Sequence, residues 1–261
     1  MKMCSATAML AALALSGGFV ASAQADAVRA GFNTTSLGAN DDDVVGPVSL
    51  GFNVDVGAYS GGQAYVHNNG MVGFSSYNPG GFNLGNFAFT QALAVFYSDV
   101  DTSAAGSGDV AYGTGTVDGH AAFGVTWDQV RHYNAALGGP ANTFQLVIID
   151  RSDLGAGNFD FEFNYGAMGW DTSTQNSAST IGFTDLNGHN FLMNGSGVSG
   201  AFSNGSLEAG SHNSSVAGRY VYYGRDGALL VPLPPAATAG LASLAGVAGL
   251  GILRRRKLRQ A

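Results

Sequence analysis

Between Phe159 and Tyr165 the residues alternate strictly: Phe159, Phe161, Phe163 and Tyr165 are separated by Asp160, Glu162 and Asn164. Successive side chains of a strand point to opposite faces, so this run gathers four aromatic rings on one side of a sheet. A helix would scatter them. Three further runs carry the same period: Val48, Leu50, Phe52, Val54 and Val56; Ala121, Phe123, Val125 and Trp127; and Phe144, Leu146 and Ile148. Each predicts one buried face and one wet face. Ala92 to Tyr97 is apolar throughout, which predicts a strand buried on both sides, and Tyr220 to Tyr223 reads as a short aromatic strand closing the body.

The punctuation between these runs suits tight connections. Asn68-Asn69-Gly70 separates Tyr65-Val66 from Met71-Val72 and reads as a hairpin turn, because Asn and Gly accept positive φ. A Gly-rich loop, Asp153 to Asn158, joins the third and fourth alternating runs. Forty glycines, and no long stretch of helical spacing, predict an all-β antiparallel sandwich.

The two ends differ from this body. Lys2, an apolar run from Ala6 to Val20, and the small residues of Ala21-Ser22-Ala23 and Ala23-Gln24-Ala25 have the three parts of a secretory signal peptide, which places residues 1–25 in a leader. At the other end Val231-Pro232-Leu233-Pro234-Pro235 is a stiff spacer. Residues 236–253 carry no charge and would reach about 27 Å as a helix, enough to span a membrane. Arg254, Arg255, Arg256 and Lys257 then form a basic stop on the cytoplasmic side.

Charge follows the same division. All 18 acidic residues lie between Asp26 and Asp226, against five arginines, so the body carries about −13. Such a body repels nucleic acid and anionic lipid and favours divalent cations or basic partners. The single cysteine, Cys4, lies in the leader, which excludes disulfides, cysteine–zinc sites and thiol chemistry from the body.

Two resemblances extend this reading. The order of Val231-Pro232-Leu233-Pro234, an Ala/Gly/Leu helix and an arginine cluster resembles the PEP-CTERM family of sorting tails in its VPLPA form, with Pro235 as a departure. That resemblance implies an exosortase-type transpeptidase as partner in a Gram-negative bacterium. It also implies transient inner-membrane anchoring, cleavage near the proline motif, and release to the cell surface or matrix. In the body, Ala94-Val95-Phe96-Tyr97-Ser98-Asp99-Val100-Asp101-Thr102 resembles the start of the NIDO (nidogen-like extracellular) domain. Gly124 to Val130, Asn142 to Ile149, Phe161 to Tyr165, Ile181 to Phe183 and Gly218 to Val221 are similar to its later segments in order. The resemblance implies a nidogen-like domain over residues 92–224, with 26–91 as a β segment packing against it and 225–235 as spacer. The family occurs in matrix and adhesion proteins, and it supplies no catalytic residues.

Chemistry-bearing patterns are sparse. His67, His120, His132, His189 and His212 form no metal-ligating motif and read as loop or strand-edge histidines. No nucleophile elbow and no phosphate-binding loop is present. Asp99, Asp101, Ser103 and Asp109 form a candidate calcium site, since alternate oxygen-bearing residues on a loop suit that ion; the competing reading is that Asp99 and Asp101 cap loop amides. Asp41-Asp42-Asp43 reads as a solvated loop. Trp127, Tyr165 and the other strand aromatics read as core, and Trp170 as the residue to test for sugar stacking, ahead of Tyr59, Tyr77 and Tyr133. The expectation is therefore a non-enzymatic exported protein binding extracellular polysaccharide or a surface protein, in adhesion or biofilm. Two alternatives stand beside it: a glycan hydrolase using a carboxylate pair such as Asp160 and Glu162, or a passive coat protein.

Overall fold

The computed structural model describes residues 26–74, 91–173, 177–187 and 190–232. The leader at 1–25, the span at 236–253, Leu233, Pro234, the basic stop, Tyr77 and His189 lie outside the described residues. Among the described residues no helix is long and apolar enough to cross a membrane.

Two antiparallel sheets form the body. The larger is ordered β1 (Thr35–Ser36), β7 (Asp109–Val117), β8 (His120–His132), β9 (Asn142–Asp150), β10 (Phe159–Met168), β13 (Arg219–Arg225) and β14 (Ala228–Leu230), with β6 (Val100–Asp101) pairing with β8. The smaller is ordered β12 (Phe191–Leu192), β11 (Thr180–Thr184), β5 (Ala92–Tyr97), β4 (Met71–Gly73), β3 (Tyr59–His67) and β2 (Val44–Val56). One four-residue helix, α1 (Ser206–Ala209), is the only helix among the described residues.

The alternating runs pack as their period requires. Phe144, Leu146, Ile148, Phe159, Phe161 and Phe163 are fully buried in one core shared by both sheets. Burying a ring of this size stabilises by roughly 1.5–3 kcal/mol. Phe161 of β10 meets Phe183 of β11 edge-on, with ring centroids 5.3 Å apart, so the two sheets interlock through aromatic contacts. β5 lies between β4 and β11 and is buried along its whole length, as its unbroken apolar run predicts. Ala121 departs from the pattern: it is exposed, and Ala122 is the buried residue at that end of β8.

The expected wet face of β9 and β10 is not wet. Gln145, Val147, Glu162 and Asn164 are buried although they point away from the shared core. The cause is the segment 26–33, which lies across the outer face of the larger sheet like a strap. Phe32 packs there with Val117, Ala122, Val147 and Ile149. Arg29 exchanges backbone hydrogen bonds with the Gln145 amide: its N–H donates to Oε1 at 2.9 Å and its carbonyl accepts from Nε2 at 2.8 Å. The strap lies flat because Gly113 and Gly124 face each other on β7 and β8. A Cβ at Gly124 would sit 2.6 Å from Phe32 Cβ, so only glycine permits the approach.

β13 is longer than the expected Tyr220–Tyr223 strand, and β14 falls within the stretch read as spacer. They are joined by Asp226-Gly227, both at positive φ, which is the geometry of a tight hairpin turn. Val231 and Pro232 leave the body from this edge: Val231 is exposed, and the Pro232 carbonyl lies 3.1 Å from His212 Nε2.

Candidate functional site

Three polar regions surround this frame. The first is a groove of about 750 Å³ beside the strap, between Arg29–Asn33, the 106–108 turn and the outer face of β7 to β9. Its floor is shaped by a bulge. The β8–β9 register shifts between Trp127 and Val130, and Gln129 adopts φ +52°. The displaced Gln129 N–H donates to Thr143 Oγ1 at 3.0 Å, and that hydroxyl donates to Asp128 Oδ1 at 3.1 Å. Bulges re-aim side chains in this way. Asp109 lines the same groove directly opposite Asp128 in the ladder, and Ser36, Ser107 and Thr126 add hydroxyls. The lining offers hydrogen-bond donors and acceptors beside an apolar wall from Val28, Ala30, Phe32 and Ala111.

The second region is the ion-pair face of the larger sheet. Arg29 makes a bidentate pair with Glu162, with contacts of 2.7 and 2.8 Å, and Arg219 Nε lies 3.7 Å from the same carboxylate. Glu162 is 3% exposed. Its hydrogen bonds hold Arg29 above the usual arginine range, whereas burial pulls Arg219 below it. Asp160 is held between Arg151, at 2.7 Å, and Arg225. The pair that alternation places on a wet face is thus tied down by four arginines.

The third region is the loop end of the sandwich, where the β3–β4 turn is built into the structure. Asn68 Nδ2 donates to the Val100 carbonyl, Asn69 Oδ1 accepts from Val100 N–H at 2.8 Å, and Trp127 Nε1 donates to the Asn68 carbonyl at 2.8 Å. Gly70, at φ +83°, abuts the Phe96 carbonyl so closely that no Cβ fits. The hairpin lies where its sequence places it, but it is buried and joins both sheets.

This turn brings two distant acidic segments together. Asn69 Nδ2 donates to Asp42 Oδ1 at 2.7 Å, Asp41 bridges to Asp101 in the backbone, and the Asp43 carbonyl accepts from Asn68 N–H. Carboxylate oxygens of Asp41, Asp42 and Asp99 converge within 4.8 Å of one another. Burial, then the charges of Asp42, Asp101 and Asp99, push the Asp41 carboxyl up to about 6. Asp99 is also raised, by burial first and then by Asp42 and Asp101, with His132 and Ser173 acting against the rise.

The four residues read from sequence as a calcium site are therefore divided. Asp99 joins the cluster. Asp101 caps its own loop, its Oδ1 accepting from Ser103 N at 2.8 Å, Ser103 Oγ and Ala104 N at 3.0 Å, as the capping reading has it. Ser103 is occupied by that cap, and Asp109 lies in the groove, where it accepts from Val110 N–H. Asp41 and Asp42, read as a solvated loop, supply the rest of the cluster, and their approach to Asp99 is a tertiary fact with no local signature.

Trp170 corrects another expectation. It is 4% exposed, packs edge-on against Phe96 at 5.5 Å, and donates through Nε1 to the Val130 carbonyl, so no sugar can stack on it. Trp127 and Tyr165 are core, as read. Tyr59 packs on Phe74 at 5.5 Å, and Tyr133 is half-buried. His67 is buried at the end of β3 instead of lying at an open edge, and burial alone lowers it to about 4.

Two antiparallel sheets, scarcely any helix, and polar regions confined to one face and one end define an all-β sandwich. Within it, residues 113–225, from the middle of β7 to the end of β13, match the family model of the nidogen-like domain. The chain thus contains a nidogen-like domain, which is an extracellular domain type. The segments resembling that family from Gly124 to Val221 fall inside the match; Ala94 to Thr102 precedes it. No solved structure matches the chain.

Proposed function

We propose that the chain is a non-enzymatic surface or extracellular-matrix protein that associates with exopolysaccharide through the groove beside the strap. The observation that carries this reading is the nidogen-like domain at 113–225. The groove adds a compatible chemistry: hydroxyls, two amides and two carboxylates offer hydrogen bonds to a hydroxylated polymer. The arginine ties on Asp160 and Glu162 support the non-catalytic reading, because an acid–base pair must be free to exchange protons.

Binding of matrix polysaccharide from the producing organism to the purified full chain tests the proposal. Retention should exceed that of an unrelated β-sandwich and fall at least several-fold in Asp128→Ala. Retention equal to the unrelated protein would defeat it, and release of reducing sugar from that polysaccharide would favour a hydrolase.

Sorting is part of the same proposal. The tail motif Val231-Pro232-Leu233-Pro234 would be cut by an exosortase-like enzyme after transient anchoring in the inner membrane. Its first two residues leave the body at the edge strand β14, and Val231 is exposed. The mass of the mature protein, measured in each cell fraction, checks this. A mass that retains residues 236–261 in the surface fraction would exclude cleavage.

A further inference from the structure

We infer that Asp41, Asp42 and Asp99 form a binding site for a divalent cation of the calcium class, with the Ser173 hydroxyl as a neutral oxygen beside it. Three observations carry this. The three carboxylates converge from two segments distant in sequence: their oxygens lie within 4.8 Å, and Asp99 is buried. Three negative charges at that spacing repel one another, and burial of Asp99 removes the water that would screen them.

The second observation is Ser173. It is 3% exposed, and its Oγ makes no hydrogen bond of acceptable geometry among the described residues. The hydroxyl lies close enough to Asp99 to favour its ionised carboxylate, yet it completes no full hydrogen bond to it. Buried hydroxyls are ordinarily satisfied, so one aimed at a carboxylate cluster without a bond is an oxygen awaiting a partner.

The third is the distribution of cations. Arg29, Arg151, Arg219 and Arg225 are engaged on the ion-pair face, and Arg131 donates to the Gly106 and Ala136 carbonyls. None of the body's five arginines is left for the loop end. The sulfur and imidazole ligands that favour zinc are absent from the cluster, whereas an all-oxygen set borne on loops suits calcium, with waters completing the shell. Bound there, the ion would pin the segment before β2 to the turn after β5.

Thermal melting and calorimetry of the full chain, stripped with chelator and titrated with Ca²⁺, test the site. A saturable rise in Tm is expected, with Kd on the order of 10⁻⁴–10⁻³ M, the range of extracellular calcium modules. Asp41→Asn removes charge from an exposed position and should leave the fold intact. Without calcium its Tm should equal or exceed that of the parent, while calcium affinity falls by about tenfold or more. Asp109→Asn should leave the titration unchanged. No calcium-dependent shift, an equal shift with KCl at matched ionic strength, or an undiminished response in Asp41→Asn and Asp42→Asn together would overturn the inference. The polysaccharide assay reads a different surface, so either result can fail alone.

Discussion

The outer face of the larger sheet and the loop end of the sandwich both gather carboxylates and treat them in opposite ways. On the outward face of β10 both carboxylates are matched with arginine: Glu162 with Arg29 and Arg219, Asp160 with Arg151 and Arg225. At the loop end Asp41, Asp42 and Asp99 meet with no arginine among the described residues. A face that buries charge against its own counter-charge is structural. An end that gathers like charge is held together by its backbone and by the Asn68–Asn69 turn.

Breaking the backbone that holds the loop end should have the largest effect. Gly70→Ala combines positive φ with a Cβ driven into the Phe96 carbonyl and should cost about 4 kcal/mol in denaturant unfolding. A loss below 1 kcal/mol would mean the turn can relax without disturbing the acidic end. On the opposite face, Glu162→Ala leaves Arg29 and Arg219 together with no anion between them. Breaking a buried pair from one side should cost about 3 kcal/mol. If urea melts show a much smaller loss, the ion-pair face is solvated and the contrast fails.

His67 sharpens the comparison through pH. Its folded value of about 4 lies below the ordinary 6.5, so the unfolded chain takes up a proton before the native one does. The stability it contributes is present above pH 6.5, declines as pH falls, and is lost by pH 4; at pH 5 the loss should be about 2 kcal/mol. Asp41 acts in the opposite direction, because its raised value lets the native state gain a proton below about 6. Comparing the parent with His67→Gln removes that contribution: the variant should lose less stability between pH 7 and 5. Parallel pH profiles would show that His67 is not buried as a neutral group.

The smallest expected effect is at the strap. Gly124→Ala pushes Phe32 off β8 and should cost about 1.5 kcal/mol, with faster hydrogen exchange in the strap than in β9. Unchanged exchange at residues 28–33 would show the strap held by its polar contacts with Gln145, Glu162 and Arg219 and not by Phe32.

Sequence period made the core legible. The runs at 144–148 and 159–165 are buried where alternation placed them, because burial of one strand face is a local pattern. The outward face of those strands was not legible, since nothing near Glu162 in sequence announces that a segment 133 residues earlier covers it. Two hairpins carry a local signal in their Asp-Gly pairs: Asp118-Gly119 between β7 and β8, and Asp226-Gly227 between β13 and β14, both at positive φ. At the loop end Asp99 stood out, but its partners Asp41 and Asp42 did not. Alternate spacing selects ligands along one loop, whereas these converge from two.

The strap also sets an order of assembly. Arg219 donates to the carbonyls of Asp26 and Ala27, contacts that span nearly the whole described chain. Contacts this distant in sequence carry a high closure cost and form late. A chain that emerges N-terminus first cannot seal the outer face of its larger sheet until β13 has followed. Until then the apolar patch of Val117, Ala122, Val147 and Ile149 lies open. The first residues of the body are thus the last to settle, and the time between is when this protein is most prone to aggregate.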